Sequence, residues 1–261
     1  MMWWPLAIVW LVTSIVMLGG WLWQKRTHNA GIVDILWSVS MGASAVFYAV
    51  VADGALLPRI LVGALGALWG LRLAAHIGHR VFHEDEDGRY RYLREYWRGD
   101  QRKFLAFFLA QALFTAIFSL PFLIAARNPV AAWTSWSLLA LLTFVGSLGG
   151  EAIADRQLAR WRADPANRGR TCRAGLWRYS RHPNYFFEIL HWFSYVFLAV
   201  GLGPAWVAVS FVGPLLMLVS LCWLTGIPYV EAQALRSRGD DYREYQRTTS
   251  VLIPLPPRTR A

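Results

Sequence analysis

Charge is scarce in this chain. Asp, Glu, Lys and Arg together make up 16% of it, where a soluble domain carries about 25%, and the 16 acids are outnumbered by 26 bases. Cysteine is scarcer still. Cys172 and Cys222 are the only two, too few for a disulfide framework and without metal-ligand spacing. No low-complexity tract, long linker or fixed-period repeat interrupts the sequence, and no loop is large enough to form a separate domain. What the chain has in quantity is apolar surface: 56% hydrophobic residues, with 15 Trp. Such a composition excludes a water-soluble fold and predicts a single all-α integral-membrane domain over residues 1–261.

Crossing roughly 30 Å of hydrocarbon takes about 20 apolar residues in a helix. Seven such runs are expected, near 3–23, 31–51, 56–80, 104–125, 132–154, 184–202 and 204–230. The sixth contains Glu188 and His191 and closes quickly at Gly201-Leu-Gly-Pro204, so it is expected to enter tilted or broken. The first has neither a basic leader nor a small-residue cleavage site and is expected to be a retained helix.

Cations set the orientation, because Lys and Arg in short loops stay cytoplasmic. Lys25 and Arg26 follow span one; Arg80, Arg89, Arg91, Arg94, Arg98, Arg102 and Lys103 lie between spans three and four. Eight arginines from Arg156 to Arg181 separate spans five and six, and Arg236, Arg238, Arg243, Arg247, Arg258 and Arg260 follow span seven. The alternate loops hold only Arg59 and Arg127. Seven spans with the N-terminus outside and the C-terminus cytoplasmic put nearly every cation on one side, in what is expected to be a bacterial inner membrane. Topology therefore explains most of the net charge of +10, and no nucleic-acid or protein partner is implied.

The acids carry more information than the bases. Asp34, Glu151, Asp155, Glu188 and Glu231 fall in or beside apolar spans, where an ionised carboxylate costs about 2.5 kcal/mol or more near the bilayer centre. This topology puts all five at the cytoplasmic ends of their helices, beside His182 and Asn184, as a polar site at the bilayer surface. Glu151 and Asp155 stand four apart on one helix face, and Arg168, Arg170 and Arg173 follow in a loop with Pro165 and Gly169. Flexible arginines beside a helix end suit phosphate, which guanidinium binds bidentately. His76, His79 and His83 recur on one helical face, but six histidines in total are too few for a membrane di-iron centre, and no metal is expected. Trp37 and Trp192 fall within the polar cluster, where they could wall a flat substrate.

Gly175-Leu176, Tyr179, Asn184, Phe186, Glu188-Ile189, Trp192-Phe193 and Tyr195 resemble the C-terminal signature of the membrane steroid 5α-reductases, with Asp155, Arg162 and Arg170 upstream at that family's spacing. Arg181-His182-Pro183-Asn184-Tyr185 is similar to the motif of sterol C14 and Δ7 reductases, and to that of isoprenylcysteine carboxyl methyltransferases. Val33-Asp34, Trp37-Ser38, Trp69-Gly70-Leu71-Arg72 and Glu86-Asp87-Gly88-Arg89-Tyr90 look like the bacterial branch of this superfamily.

The resemblance implies a seven-helix membrane fold, with NADPH entering from the cytoplasm and a hydrophobic substrate, a 3-oxo-Δ4 steroid or similar planar enone, entering from the lipid. Residues implied at the cofactor are Arg89, Arg91, Asp155, Arg162, Arg170, Arg178, Arg181, His182, Asn184, Tyr185, Glu188, Glu231 and Tyr242. In those reductases a Tyr on the third span and a Glu on the second hold the substrate ketone; here Ile77 falls where the Tyr should be. Asp34 is therefore expected to polarise the carbonyl as a protonated carboxyl, with Trp37 shaping the pocket and Glu188 completing the catalytic set. An Asp34 engaged in a salt bridge, to Arg72 or Arg80 for example, would overturn that role. Glu231 and Leu235 replace a His and a Tyr of the reductases, and Glu231 through Ile253-Pro254 is closer to the methyltransferase pattern. Two alternatives therefore stand beside the reductase: an S-adenosylmethionine-dependent lipid or prenylcysteine methyltransferase, and a non-catalytic sterol-binding protein.

Overall fold

The structure, a computed structural model, describes residues 3–258; Arg260, expected among the cytoplasmic cations, lies outside them. Among the described residues there is no β-strand, only an isolated parallel bridge between Ser180 and Ser250. The α-helices are α1 (Trp4–Thr27), α2 (Ile32–Val51), α3 (Leu56–His83), α4 (Gly88–Tyr96), α5 (Gln101–Phe118), α6 (Leu120–Ala125), α7 (Ser135–Ala163), α8 (Pro183–Ala199), α9 (Pro204–Ser210), α10 (Val212–Val219), α11 (Ile227–Arg238) and α12 (Asp240–Thr248).

Six stretches among the described residues are long and apolar enough to cross a membrane: α1, α2, α3, Gln101–Ala125, α7 and Pro204–Arg238. The fourth joins α5 to α6 across Pro121, whose ring nitrogen cannot donate and so resets the hydrogen-bond ladder. The last strings α9, α10, a π-helical turn at Ser220–Leu224 and α11 together. The expected span over 184–202 is not one of the six. It forms α8, whose 17 residues reach roughly 26 Å at 1.5 Å each. Pro183 opens it, and Gly201 and Gly203, at φ +121° and +94°, end it. Asn128 donates from its side-chain amide to the Leu198 and Val200 carbonyls, satisfying two of the acceptors that a helix end leaves open.

The chain divides into two compact units, Met1–Ser137 with Tyr195–Gly213, and Leu138–Ser194 with Pro214–Ala261. In the first, α2 and α3 share a seam of small residues. A Cβ at Gly70 would lie 2.7 Å from the Ser38 carbonyl and 2.9 Å from the Gly42 Cα, and one at Gly66 would meet the Ala45 Cβ. Absence of side chains there lets the backbones close, which is how helices associate in lipid, where apolar burial alone gives no driving force. Trp37 packs edge-on against Trp69 and Phe118. Met17, Val33, Tyr90, Phe104 and Phe108 form a second cluster among α1, α2, α4 and α5.

In the second unit α7 lies along α8: the Phe187 ring occupies the space that a side chain at Gly150 would need, and Phe144 meets the His191 ring edge-on. The segment between them folds back on α7, with Trp177 donating from Nε1 to the Ala154 carbonyl and Gln157 accepting from the Leu176 amide. Gly175, at φ +56°, has no room for a Cβ beside Gln157. Exposed Leu142, Val145 and Ile153 on α7 are what a lipid-facing helix presents.

Candidate functional site

The polar residues expected to form one site fall into the two units. In the first unit, Asp34 sits in the first turn of α2 and is fully engaged. Its Oδ2 is 3.0 Å from Arg89 Nη2, and its Oδ1 accepts a 2.6 Å bond from the Tyr90 hydroxyl. Asp87 caps α4 through the Arg89 amide and pairs with Arg89 and Arg80. Burial alone would raise the Asp87 pKa, but Arg89 and Arg80 outweigh it and hold this carboxyl below its usual range. Burial and the Asp34 carboxylate both push the Tyr90 phenol upward, so it remains a proton donor. Burial works against the charge of Arg89, and Asp34 more than offsets it, leaving that guanidinium with a raised pKa.

These contacts correct three expectations. Asp34 is a salt-bridged carboxylate held by two donors, not a protonated acid that could hydrogen-bond a developing enolate; its cation is Arg89, not Arg72 or Arg80. Arg89 is committed to Asp34 and Asp87 rather than offered to a phosphate. Arg91, exposed, donates to the Glu86 carbonyl. Trp37 lies in the aromatic cluster with Trp69, Phe114 and Phe118, with its Nε1 buried and unpartnered; it fills a core rather than walling a pocket. Beneath α4, Glu86 accepts from Arg94 and from the Ala30 amide, so that this short helix is tied to the α1–α2 turn.

The second unit holds most of the implied cofactor residues, in two groups. Arg181, His182, Glu231 and Tyr242 satisfy one another. Glu231 Oε1 accepts from Arg181 Nε at 2.7 Å, His182 Nε2 at 3.1 Å and the Tyr242 hydroxyl at 3.3 Å, while Oε2 accepts from Gln246 at 2.7 Å. Arg181 Nη1 also donates to the Gln246 and Thr249 carbonyls. The Tyr245 hydroxyl bridges to the Trp177 and Ser180 carbonyls. Burial and Glu231 push the Tyr242 phenol up; burial and Tyr242 do the same for Tyr245. The node locks α11 and α12 to the loop that starts α8, a structural task for residues expected to contact cofactor directly.

The other group lies where α7 meets α8. Asn184 donates to Asp155 at 3.3 Å, and one turn along α8 comes Glu188, 8% exposed. His191 Nδ1 lies 2.7 Å from the Glu188 carbonyl and 3.8 Å from its Oε1. Tyr185 stacks on His182. In the segment linking α7 to α8 the cations are exposed: Arg160 and Arg162 on the last turn of α7, then Arg168, Arg170 and Arg178. Neither Arg160, Arg168, Arg170 nor Arg178 has an acidic partner among the described residues, whereas Arg173 is paired with Asp241 at 2.9 Å. Burial raises the Cys172 pKa, which makes this loop thiol a weak nucleophile at neutral pH.

Sequence reasoning missed Tyr90, Gln246, Tyr245 and the Arg173–Asp241 pair. Tyr242, Tyr245 and Gln246 share a helical face at i, i+3 and i+4, a signal that α12 presents one polar aromatic side to the rest of the unit. Tyr90 stood in the Glu86–Tyr90 motif without a role of its own.

Apolar, membrane-length helices define the class: an integral membrane protein, with exposed arginines concentrated in the segments between helices. Over residues 20–249 the chain matches the family described as protein of unknown function DUF1295, and it belongs to that family, which lies in the steroid 5α-reductase-like superfamily. No curated protein and no solved structure matches the chain.

Proposed function

We propose that the protein is an NADPH-dependent reductase of the double bond of a planar enone lipid such as a 3-oxo-Δ4 steroid. The observation that carries this reading is the set of exposed arginines without acid partners among the described residues, Arg160, Arg168, Arg170 and Arg178, in the segment that links Asp155 on α7 to Asn184 and the buried Glu188 on α8. A ligand with several phosphates fits such a set, because guanidinium grips phosphate oxygens in pairs. S-Adenosylmethionine has no phosphate. NADPH would supply hydride; the protein's part is to hold it with Arg162, Arg170 and Arg178 toward phosphate and Asn184 and Glu188 toward the more buried end. The cofactor set is thereby narrower than the resemblance implies, since Arg89, Arg181, His182, Glu231 and Tyr242 are spent on one another and on Asp34. Proton supply at the carbonyl falls to a group other than Asp34.

The same reading has α8 as a seventh, short crossing, the N-terminus outside and the C-terminus in the cytoplasm of a bacterium, where the cofactor is. A C-terminal fluorescent-protein fusion should then fluoresce and a C-terminal periplasmic phosphatase fusion should be inactive; the opposite pattern would reverse the orientation.

One observation favours a methyltransferase as the second reading. The segment from Glu231 to Ile253-Pro254, which follows the methyltransferase pattern, closes onto Arg181-His182 through Glu231, Gln246 and the Ser180–Ser250 bridge. Thermal unfolding in detergent, followed by tryptophan fluorescence, separates the readings, because ligand that binds only the folded state raises the transition. NADPH should raise it, and Arg162→Ala and Arg170→Ala should weaken NADPH far more than NADH. A rise with S-adenosylmethionine alone would establish the second reading. No rise with any nucleotide would favour a sterol-binding protein.

A further inference from the structure

The segment after α12 bends back on the loop before α8 as a strap. Arg181 donates from its amide to the Ser250 carbonyl, Ser180 from its hydroxyl to the Leu252 carbonyl, and Leu255 from its amide to the Tyr179 carbonyl. The Arg258 amide closes the far end on the Thr248 carbonyl. Val251, Ile253 and Leu255 are 42%, 58% and 53% exposed, with Tyr179, 41% exposed, hydrogen-bonded beside them, while Leu252 and Pro254 are half-buried. Packing within the unit does not account for three large apolar side chains left this exposed in one short segment.

The surroundings of this ridge identify what it fits. Arg178 precedes Tyr179 in the chain, Arg247 precedes the Thr248 that anchors the strap, and Arg258 ends it. All three are exposed, and none has an acidic partner among the described residues. On α12, Asp240 is paired with Arg243 and Asp241 with Arg173, and Glu244 makes no ion pair with Arg247. An apolar ridge rimmed by uncompensated arginines is complementary to the boundary of an anionic bilayer, where side chains enter the acyl layer and guanidinium groups meet lipid phosphate. A protein partner would have to offer a negatively charged groove; a bilayer is already present, since α7 of the same unit is long and apolar enough to cross one.

We propose that the strap 250–258 is a membrane-docking element: Val251, Ile253 and Leu255 dip into the interface of an anionic leaflet and Arg178, Arg247 and Arg258 bind its phosphates. Docking holds the strap, and through it Ser180 and Arg181, at the bilayer surface. The inference is independent of the reaction proposed above.

The test uses the full chain with Ile253→Cys in a Cys222→Ser background, labelled with a polarity-sensitive fluorophore, in nanodiscs holding one copy each; tryptophan fluorescence melting first confirms that the labelled protein is folded. In discs containing phosphatidylglycerol the label should emit at shorter wavelength than in phosphatidylcholine discs and lose emission to lipids carrying nitroxide near the headgroup. Arg247→Glu with Arg258→Glu should abolish the difference between the two lipids. Emission typical of water, quenched by iodide and not by nitroxide lipid, would overturn the proposal. A blue shift seen only in discs holding two copies would also overturn it, assigning the ridge to a second copy of the chain.

Discussion

At the scale of single residues, a carboxylate near a membrane is explained by the donors it meets. Asp34 meets Arg89 and Tyr90, and Glu231 meets Arg181, His182, Tyr242 and Gln246. Hydrogen bonds to charged groups contribute about 1.5–3 kcal/mol each, so Asp34→Asn and Tyr90→Phe should each lower stability by an amount in that range, visible as a lower melting temperature without ligand. Were Asp34 a catalytic acid instead, Asp34→Asn would leave melting unchanged and remove activity. Glu231→Leu strands the half-buried charge of Arg181, and breaking a buried pair from one side typically costs about 3–5 kcal/mol, an upper bound here. A melting temperature unchanged by Glu231→Leu, with weaker nucleotide binding alone, would return Glu231 to the cofactor. Neither pairing was legible in the sequence. Asp34 and Arg89 stand 55 positions apart, and only the fold of α4 back onto α2 selects Arg89 over Arg72 or Arg80.

Among elements, the same residue type has opposite consequences according to what lies beyond its Cα. Gly70 on α3 faces the backbone of α2, with the Ser38 carbonyl 2.7 Å from where a Cβ would be, whereas Gly146 on α7 has nothing within 4 Å. Gly70→Ala should destabilise by about 1–3 kcal/mol, the cost of overpacking. Gly146→Ala should be neutral or stabilising by up to about 1 kcal/mol, because alanine loses less backbone freedom in a helix. Equal melting temperatures for the two variants would remove the α2–α3 seam as a determinant of the fold. Helical runs were legible because apolar length is a local property. The brevity of α8 was half legible, in Gly201 and Gly203; its closure by Asn128, 70 residues before Leu198, was not.

At the scale of the molecule, the charged caps set the response to acid. The Thr171 amide and Arg173 hold the Asp241 carboxyl below its usual range against the opposing effect of burial, and Asp87 is lowered in the same sense in the other unit. A carboxyl with a depressed pKa in the folded state adds stability that is present above its unfolded pKa of about 3.9 and lost as pH falls through the folded value. Melting temperature should therefore be level near neutrality and fall below about pH 4. Asp241→Asn should lower the neutral value and flatten that decline; an unchanged acid limb would assign it to other carboxylates.

What the sequence determined by itself follows from short-range physics. A chain so apolar must satisfy its backbone within helices in lipid, so the all-α membrane class and six of the seven expected spans could be read from composition and spacing. The superfamily could be anticipated too, because the motif from Gly175 to Tyr195 is contiguous. Tertiary structure alone decided which charges are spent. Arg181 and Arg170 look alike in sequence, yet one is half-buried and paired with Glu231 and the other is exposed without an acid partner among the described residues. The difference arises because ion pairing depends on distances of about 3–4 Å between side chains from separate helices, and no periodicity along the chain encodes them.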